Sequence, residues 1–225
     1  MTGEADVCRQ WQNNNREHTC YSAETLRILA IDPSRFVLGV CRLWGDLGDI
    51  TFRTETVRLR STGAERLVQA SLWLRDLLAS EAPSLTLLRG ADVRSQDGGA
   101  AAAEMIGVLR LLLHEANEKS LVVPLSSIRL WACGSAEAPP DDVAFAAIRR
   151  FGALVASGDQ CEAAWLAEIG YYLRAGLEGG TPARRQVLRE LRAQHAGLDT
   201  IGDPDDEYLM RTNALIMLLG DRLWD

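Results

Sequence analysis

No two cysteines of this chain stand in a C-x-x-C arrangement, and the five present, Cys8, Cys20, Cys41, Cys133 and Cys161, are odd in number and scattered. Neither a zinc ribbon nor a disulfide framework is indicated, and a reducing, cytoplasmic setting fits best. Cys8, His18 and Cys20 lie near one another but lack a fourth ligand at a spacing suited to a metal cluster. No apolar run has the length of a membrane span, and the N-terminal residues carry no apolar signal-peptide core, so no membrane partner is expected. Positive charge is not in excess. The net charge of -7 argues against indiscriminate nucleic-acid binding, although it permits a local basic groove on an acidic molecule. Internal repeats are also missing.

What is present is a chain of 225 residues, 47% of them apolar, long enough for one substantial domain plus an appendage. Residues 1–24 are polar, with Asn13, Asn14 and Asn15 in a row, and read as a flexible leader. A domain over 25–177 follows, then a C-terminal helical extension over 178–225. Residues 26–32, 35–44 and 50–59 read as three strands of a meander, with Gly45, Asp46, Gly48 and Asp49 supplying a turn. From Gly63 the period becomes helical, through Leu67, Ala70, Leu74, Leu77 and Leu78, and stops before Pro83. A short strand at Leu85–Leu88, a helix at 101–116, and strands near Leu121–Val123 and Ile128–Trp131 come next. Helices are expected at 141–151, capped by Asp141 or Asp142, at about 159–175, at 183–195 and at 206–223. Hairpins followed by helical crossovers imply an α/β layer fold with a mixed sheet.

Two features bear chemistry. The apolar run ending in Asp32 leaves a carboxylate at the end of a buried strand, which is costly unless something binds it. A divalent cation and a simple cap of the turn before Pro33 weigh about equally. Asp159 and Glu162, three apart at the start of an alanine-rich helix, share one helical face and can point at one position. Acidic residues also favour a helix N-terminus, where Asp159 is a good N-cap. Joined with Asp32, the pair could surround Mg²⁺, which activates water and stabilises the leaving oxygen in phosphodiester cleavage.

The stretch ILAIDPS with Gly39, the helix before Pro83, SLTLLRG, EMIGVLRLLLHE, VPLSSIRLWACGSAEA and DQCEAAWLA, in that order, resemble a RuvC-type Holliday-junction resolvase of the RNase H-like superfamily over about residues 26–176. The resemblance implies a mixed five-stranded sheet flanked by helices and a Mg²⁺- or Mn²⁺-dependent endonuclease acting on branched or structured DNA. It matches Asp32 to the first-strand metal aspartate, and Asp159 and Glu162 to the carboxylate pair of the last helix, with Glu for the more usual Asp. Two positions depart from the pattern. The carboxylate at the end of the fourth strand is here Arg89, whose guanidinium repels a cation. Where a lysine usually follows, this chain has Glu137, Pro139 and Pro140 after Gly134. Glu65, early in the first helix, or Asp92 offers a replacement ligand, against the plainer reading of Glu65 as an exposed first-turn residue. Arg89 reads either as a salt-bridge partner that replaces the metal beside Asp32 or as a phosphate-binding residue. The first would make the chain a pseudonuclease that binds nucleic acid or serves in an assembly. A sugar- or acetate-kinase-like ATP-binding domain of related topology is disfavoured, because glycine-rich phosphate loops and a second domain are lacking.

His114 and His195 read as structural, near helix C-termini. Trp44, Trp73, Trp131 and Trp165 fall in apolar runs and read as core. Arg184, Arg185, Arg189 and Arg192 crowd one short helix against Glu190, as a solvated face or as a phosphate-contacting arm. The apolar segment beyond is expected to dock through Leu209, Leu215, Ile216, Leu218 and Leu219, within the chain or across a homodimer.

Overall fold

Strand β1 (Leu26–Pro33) is buried on both faces except at Arg27, as an unbroken apolar run requires of a central strand. In the computed structural model of the chain, residues 26–46, 49–91, 99–152 and 155–194 are described. The expected leader with Cys8, His18 and Cys20, and also Asp92, His195 and the docking segment 206–223, lie outside the described residues. β1 pairs antiparallel with β2 (Val37–Asp46), which pairs antiparallel with β3 (Asp49–Arg58). On its other side it pairs parallel with β4 (Leu85–Arg89), which pairs parallel with β5 (Ser120–Val123). The result is the expected mixed sheet, in the order β3-β2-β1-β4-β5.

Side-chain alternation along these strands divides the core. Leu29, Ile31, Leu38, Val40 and Leu88 pack against α1 (Gly63–Glu81) and α2 (Gly99–Glu115). Ile28, Ala30, Cys41, Leu85 and Leu87 face the opposite layer, built from α3 (Leu125–Cys133), α4 (Pro140–Phe151), α5 (Gly158–Arg174) and α6 (Pro182–Gln194).

Three sequence expectations are corrected here. Ile128–Trp131 is helical, not a strand: Ser127, Ile128 and Trp131 are buried at helical spacing, Pro124 precedes the helix, and Gly134 ends it in the left-handed region. The N-cap of α4 is Pro139, with Pro140 at the first helical position, while Asp141 and Asp142 occupy the first turn. Trp44 is exposed at the far end of β2, whereas Trp131 and Trp165 are buried.

Helix α5 organises the second layer. Every residue from Ala163 to Arg174 is buried, which marks a helix enclosed on all sides. Its close approach rests on two glycines. A Cβ on Gly170 would stand 2.8 Å from the Ile28 side chain, and one on Gly39 would overlap the Asp159 carbonyl and stand 2.7 Å from its Cβ. Within this layer the buried carboxylate of Glu168 joins three other helices. It accepts from Trp131 Nε1 in α3 at 2.7 Å, pairs with Arg150 Nε in α4 at 2.9 Å, and lies 3.6 Å from Arg184 in α6. Val187, Leu188 and Leu191 bury the apolar face of α6 in the same core.

Gly39→Ala is therefore expected to lower unfolding stability by about 1–3 kcal/mol, the usual cost of overpacking. Gly107→Ala, on the exposed face of α2 where a Cβ meets nothing, should raise it by about 0.5–1 kcal/mol. Urea denaturation of both variants checks the pair. An unchanged midpoint for Gly39→Ala would mean that α5 does not bear on the sheet.

Candidate functional site

Strand register brings the site together. Asp32 continues the Ile28 and Ala30 side of β1, and Arg89 continues the Leu85 and Leu87 side of β4, so both face α5. The parallel register pairs Ile31 with Leu88, which makes Asp32 and Arg89 neighbours at the carboxyl ends of adjacent strands. Gly39 lies opposite Asp32, and Thr56 opposite Gly39. The first turn of α5 rests on this row. Its N-cap is Ser157, not Asp159, and the Ser157 hydroxyl accepts from the Gln160 amide. Gln160 Nε2 in turn donates to Thr56 Oγ1 at 2.9 Å. One turn further in, Glu162 overhangs Asp32.

The three carboxylates Asp32, Asp159 and Glu162 line one open cleft together with Arg89, Arg35, Phe36 and Arg129. Arg89 holds its floor. Its Nε donates to Asp32 and lies 3.1 Å from Glu162, and its NH2 donates to the Pro33 carbonyl at 2.8 Å. Burial pushes the Asp32 carboxyl well above the usual carboxylate range; Arg89 opposes this, and Glu162 and Asp159 reinforce it. For Arg89 burial works against the charged form, but the attraction of Asp32, Glu162 and Asp159 outweighs it and holds the guanidinium above its ordinary value. Asp159, half-buried, is raised by burial and lowered by Arg89.

No family model matches the chain, and no curated protein matches it. Solved structures do. A Thermus thermophilus RuvC structure is similar with a TM-score of 0.54 and 17% identity, over 67% of this chain and 97% of that one. T. thermophilus RuvC in complex with a Holliday junction substrate gives 0.56 and 16%, over 67% and 96%. The yeast mitochondrial Holliday junction resolvase Ydc2 gives 0.49 and 13%, over 76% and 85%. The fold is RNase H-like.

Within this RNase H-like frame the donor set does not suit Mg²⁺. A guanidinium fills the interval between Asp32 and Glu162 that a cation would need, and among the described residues no group of three or more His, Cys, Asp or Glu is disposed to hold a metal ion. Glu65 does not supply the missing ligand: it is exposed on α1 and does not line the cleft. The buried face of α1 runs through Arg66, Ala70 and Leu74, which turns its neighbour Glu65 outward. Nor is Arg89 free to meet a phosphate, since Asp32, Glu162 and Pro33 engage it.

On the basic helix, read either as a solvated face or as a phosphate-contacting arm, the four arginines have different surroundings. The Arg184 guanidinium lies 4.8 Å from the Trp131 ring, and its Nε donates to the Trp131 carbonyl at 3.2 Å. Arg185 donates to the Gly179 and Gly180 carbonyls of its own turn, and Arg192 to the Leu177 carbonyl. Arg189 is exposed. Arg184 is thus turned inward, half-buried between Trp131 and Glu168. Residues the sequence reading passed over do more at the cleft. Arg66, buried, donates to the Arg35 carbonyl at 2.8 Å and pairs with Glu104 at 3.1 Å, which ties the loop after β1 to the start of α2.

Removing the floor cation has a pH signature. Arg89→Met leaves Asp32 and Glu162 facing each other unpaired, a loss of about 3–5 kcal/mol at neutral pH. A carboxyl whose folded pKa is raised contributes stability that is full below its unfolded value near 4 and is lost as pH rises through the folded value. Arg89→Met removes the one influence pulling Asp32 down. The deficit relative to wild type should therefore be largest at neutral pH and shrink as pH falls toward about 4. Denaturation midpoints across that range measure it, and a deficit independent of pH would contradict the assignment.

Proposed function

We propose that this chain is a nucleic-acid-binding protein on a resolvase-type fold, directed at branched or otherwise structured DNA, that does not cut by a metal-dependent route. The observation that carries this reading is the place of Arg89, spanning Asp32 and Glu162 where cleavage would require a cation. Members of the RuvC-like fold use Mg²⁺. A metal ion in such a site offers open coordination positions, which lower the pKa of a bound water and hold a phosphoryl oxygen. A guanidinium offers donors only and has no vacant ligand position. Its charge here is already met by two carboxylates. The cleft therefore keeps its shape and its acidic floor but lacks a means to generate a nucleophile by the two-metal route.

Support for nucleic acid as the partner comes from the fold and the cleft. A solved RuvC of this fold is in complex with a Holliday junction substrate, and the present cleft opens at the carboxyl ends of β1 and β4 with arginines lining it. No described helix is long and apolar enough to cross a membrane. A second reading, a Mg²⁺- or Mn²⁺-dependent endonuclease using Asp32, Asp159 and Glu162, draws on the gathering of those three carboxylates in one cleft. An assembly role for the same fold, as a homodimer or with protein partners, is compatible with nucleic-acid binding.

We expect the purified protein to bind a four-way DNA junction equally well in EDTA and in Mg²⁺, with no cleavage above background in Mg²⁺ or Mn²⁺. Calorimetric titration with Mn²⁺ should show no saturable site in the wild type and a new one in Arg89→Asp, which removes a positive charge and adds a ligand. Metal-dependent cleavage by wild type that is lost in Asp32→Asn would return the endonuclease reading.

A further inference from the structure

With Arg89 committed to the floor, any attraction for a phosphate must come from elsewhere in the cleft. Two other guanidiniums line it, Arg35 and Arg129, and neither pairs with a carboxylate among the described residues. Arg129 projects from α3, the segment that sequence periodicity misread as a strand. Its Nε is buried and has no hydrogen-bond partner among the described residues. The Nε atoms of Arg42 and Arg66 are in the same state, but of these three arginines only Arg129 lines this cleft, where a ligand or water can complete the donor. Arg35 is exposed, with its guanidinium 4.9 Å from the centroid of the Phe36 ring, and that ring is itself 40% exposed.

The turn that presents Arg35 and Phe36 is held from several sides. The Ser34 amide donates to the Val37 carbonyl at 2.8 Å, the Leu59 amide to the Phe36 carbonyl at 2.9 Å, and Arg66 to the Arg35 carbonyl. An exposed aromatic ring at a fixed position in a cleft lined by two guanidiniums that meet no carboxylate among the described residues combines a stacking platform with phosphate donors. In an intact duplex the base faces are already covered by their neighbours, so a ring at this rim has a partner only where a base is unpaired.

We infer that Arg129, Arg35 and Phe36 form a binding site for an unpaired stretch of nucleic-acid strand, with Arg129 and Arg35 on a backbone phosphate and Phe36 against a base. This rests on the nucleic-acid reading above and assigns it to particular residues. The acidic groups at the site, Asp32, Glu162 and Asp159, lie on the floor and at the start of α5, and Arg89 offsets part of their repulsion for the incoming phosphate. The rim thus reads backbone and exposed base, and its preference is for strand structure over sequence.

The test uses fluorescence anisotropy with a labelled oligothymidylate, an abasic oligomer of equal length, a blunt duplex and a four-way junction, each over a salt series. Wild type should prefer the oligothymidylate to the duplex. Arg129→Ala and Arg35→Ala should each weaken oligothymidylate binding about tenfold and reduce the slope of log affinity against log salt by about 0.7, the share of one phosphate contact on a single strand. Phe36→Ala should weaken it by about tenfold, within the range for loss of one base stack, with the slope unchanged. Phe36→Trp should restore binding, and the abasic oligomer should not distinguish Phe36→Ala from wild type. Arg129→Gln, which keeps a polar side chain of similar reach, guards against a folding defect, with denaturation midpoints measured alongside. Wild-type affinity in Arg129→Gln, Arg35→Ala and Phe36→Ala, while wild type still binds the junction, would overturn this site and leave the nucleic-acid reading standing. Absence of binding to every probe by wild type would overturn both.

Discussion

A single guanidinium, that of Arg89, determines how three elements meet. Asp32 belongs to β1, Glu162 to α5 and Arg89 to β4, and the ion pairs among them join the central strand, its parallel neighbour and the helix above. A buried ion pair contributes little net stability against an apolar replacement of equal volume, because desolvation offsets the attraction. Its effect is on specificity. Sliding β4 by one residue against β1 would turn Arg89 to the opposite face, among the buried apolar side chains Leu29, Ile31 and Leu88, where an isolated charge is costly. The triad therefore opposes misregistration more than it adds to the depth of the native minimum.

Placing Glu162 over Asp32 requires that α5 begin low on the sheet, and several features distant in sequence serve that requirement. Gly39 gives up its side chain where the Asp159 backbone passes, and Gly170 does the same over Ile28 and Leu87. Gln160 reaches Thr56 on β3, which fixes the first turn against the row Asp32, Gly39, Thr56. At the other end of the helix, Glu168 collects Trp131, Arg150 and Arg184, so that α3, α4 and α6 are positioned by one carboxylate. Arg129 and Arg184 take their locations from this layer: one emerges from α3 into the cleft, and the other turns from α6 toward Trp131 and Glu168.

Much of this was legible because period and punctuation agreed. The apolar run ending at Asp32, the helical spacing up to Pro83 and the alternating meander each permit one assignment, and the parity of Ile28, Ala30 and Asp32 already implied which face the carboxylate takes. Ile128–Trp131 was misread because a short apolar run has no distinguishing period, although Pro124 and Gly134 frame a helix of three turns at most. The N-cap of α5 was misassigned although Ser157 with Gln160 three residues on is the familiar start signal. Glu65 was weighed by its chemistry when its position relative to Arg66, Ala70 and Leu74 sets its direction. The arginines of α6 looked like a charged face because sequence does not reveal which guanidinium has a buried carboxylate opposite; Glu168, inside an apolar helix, was the one available hint.

A fixed cation in place of an exchangeable one changes what the same frame can respond to. A metal-bound carboxylate cluster is sensitive to divalent-ion concentration, since the ion's binding energy is linked to the folded state. Here the charge beside Asp32 and Glu162 is covalently part of β4 and is oriented by the Pro33 carbonyl. On the proposed reading, the end of the sheet holds its geometry without depending on the divalent-ion supply. Such a site is suited to recognition that depends on a stable outline, with the variable part of the binding energy left to the rim. On the proposed reading, Arg89 meets Asp32 and Glu162 on the floor, and recognition is left to Arg35, Phe36 and Arg129 at the rim of the same cleft.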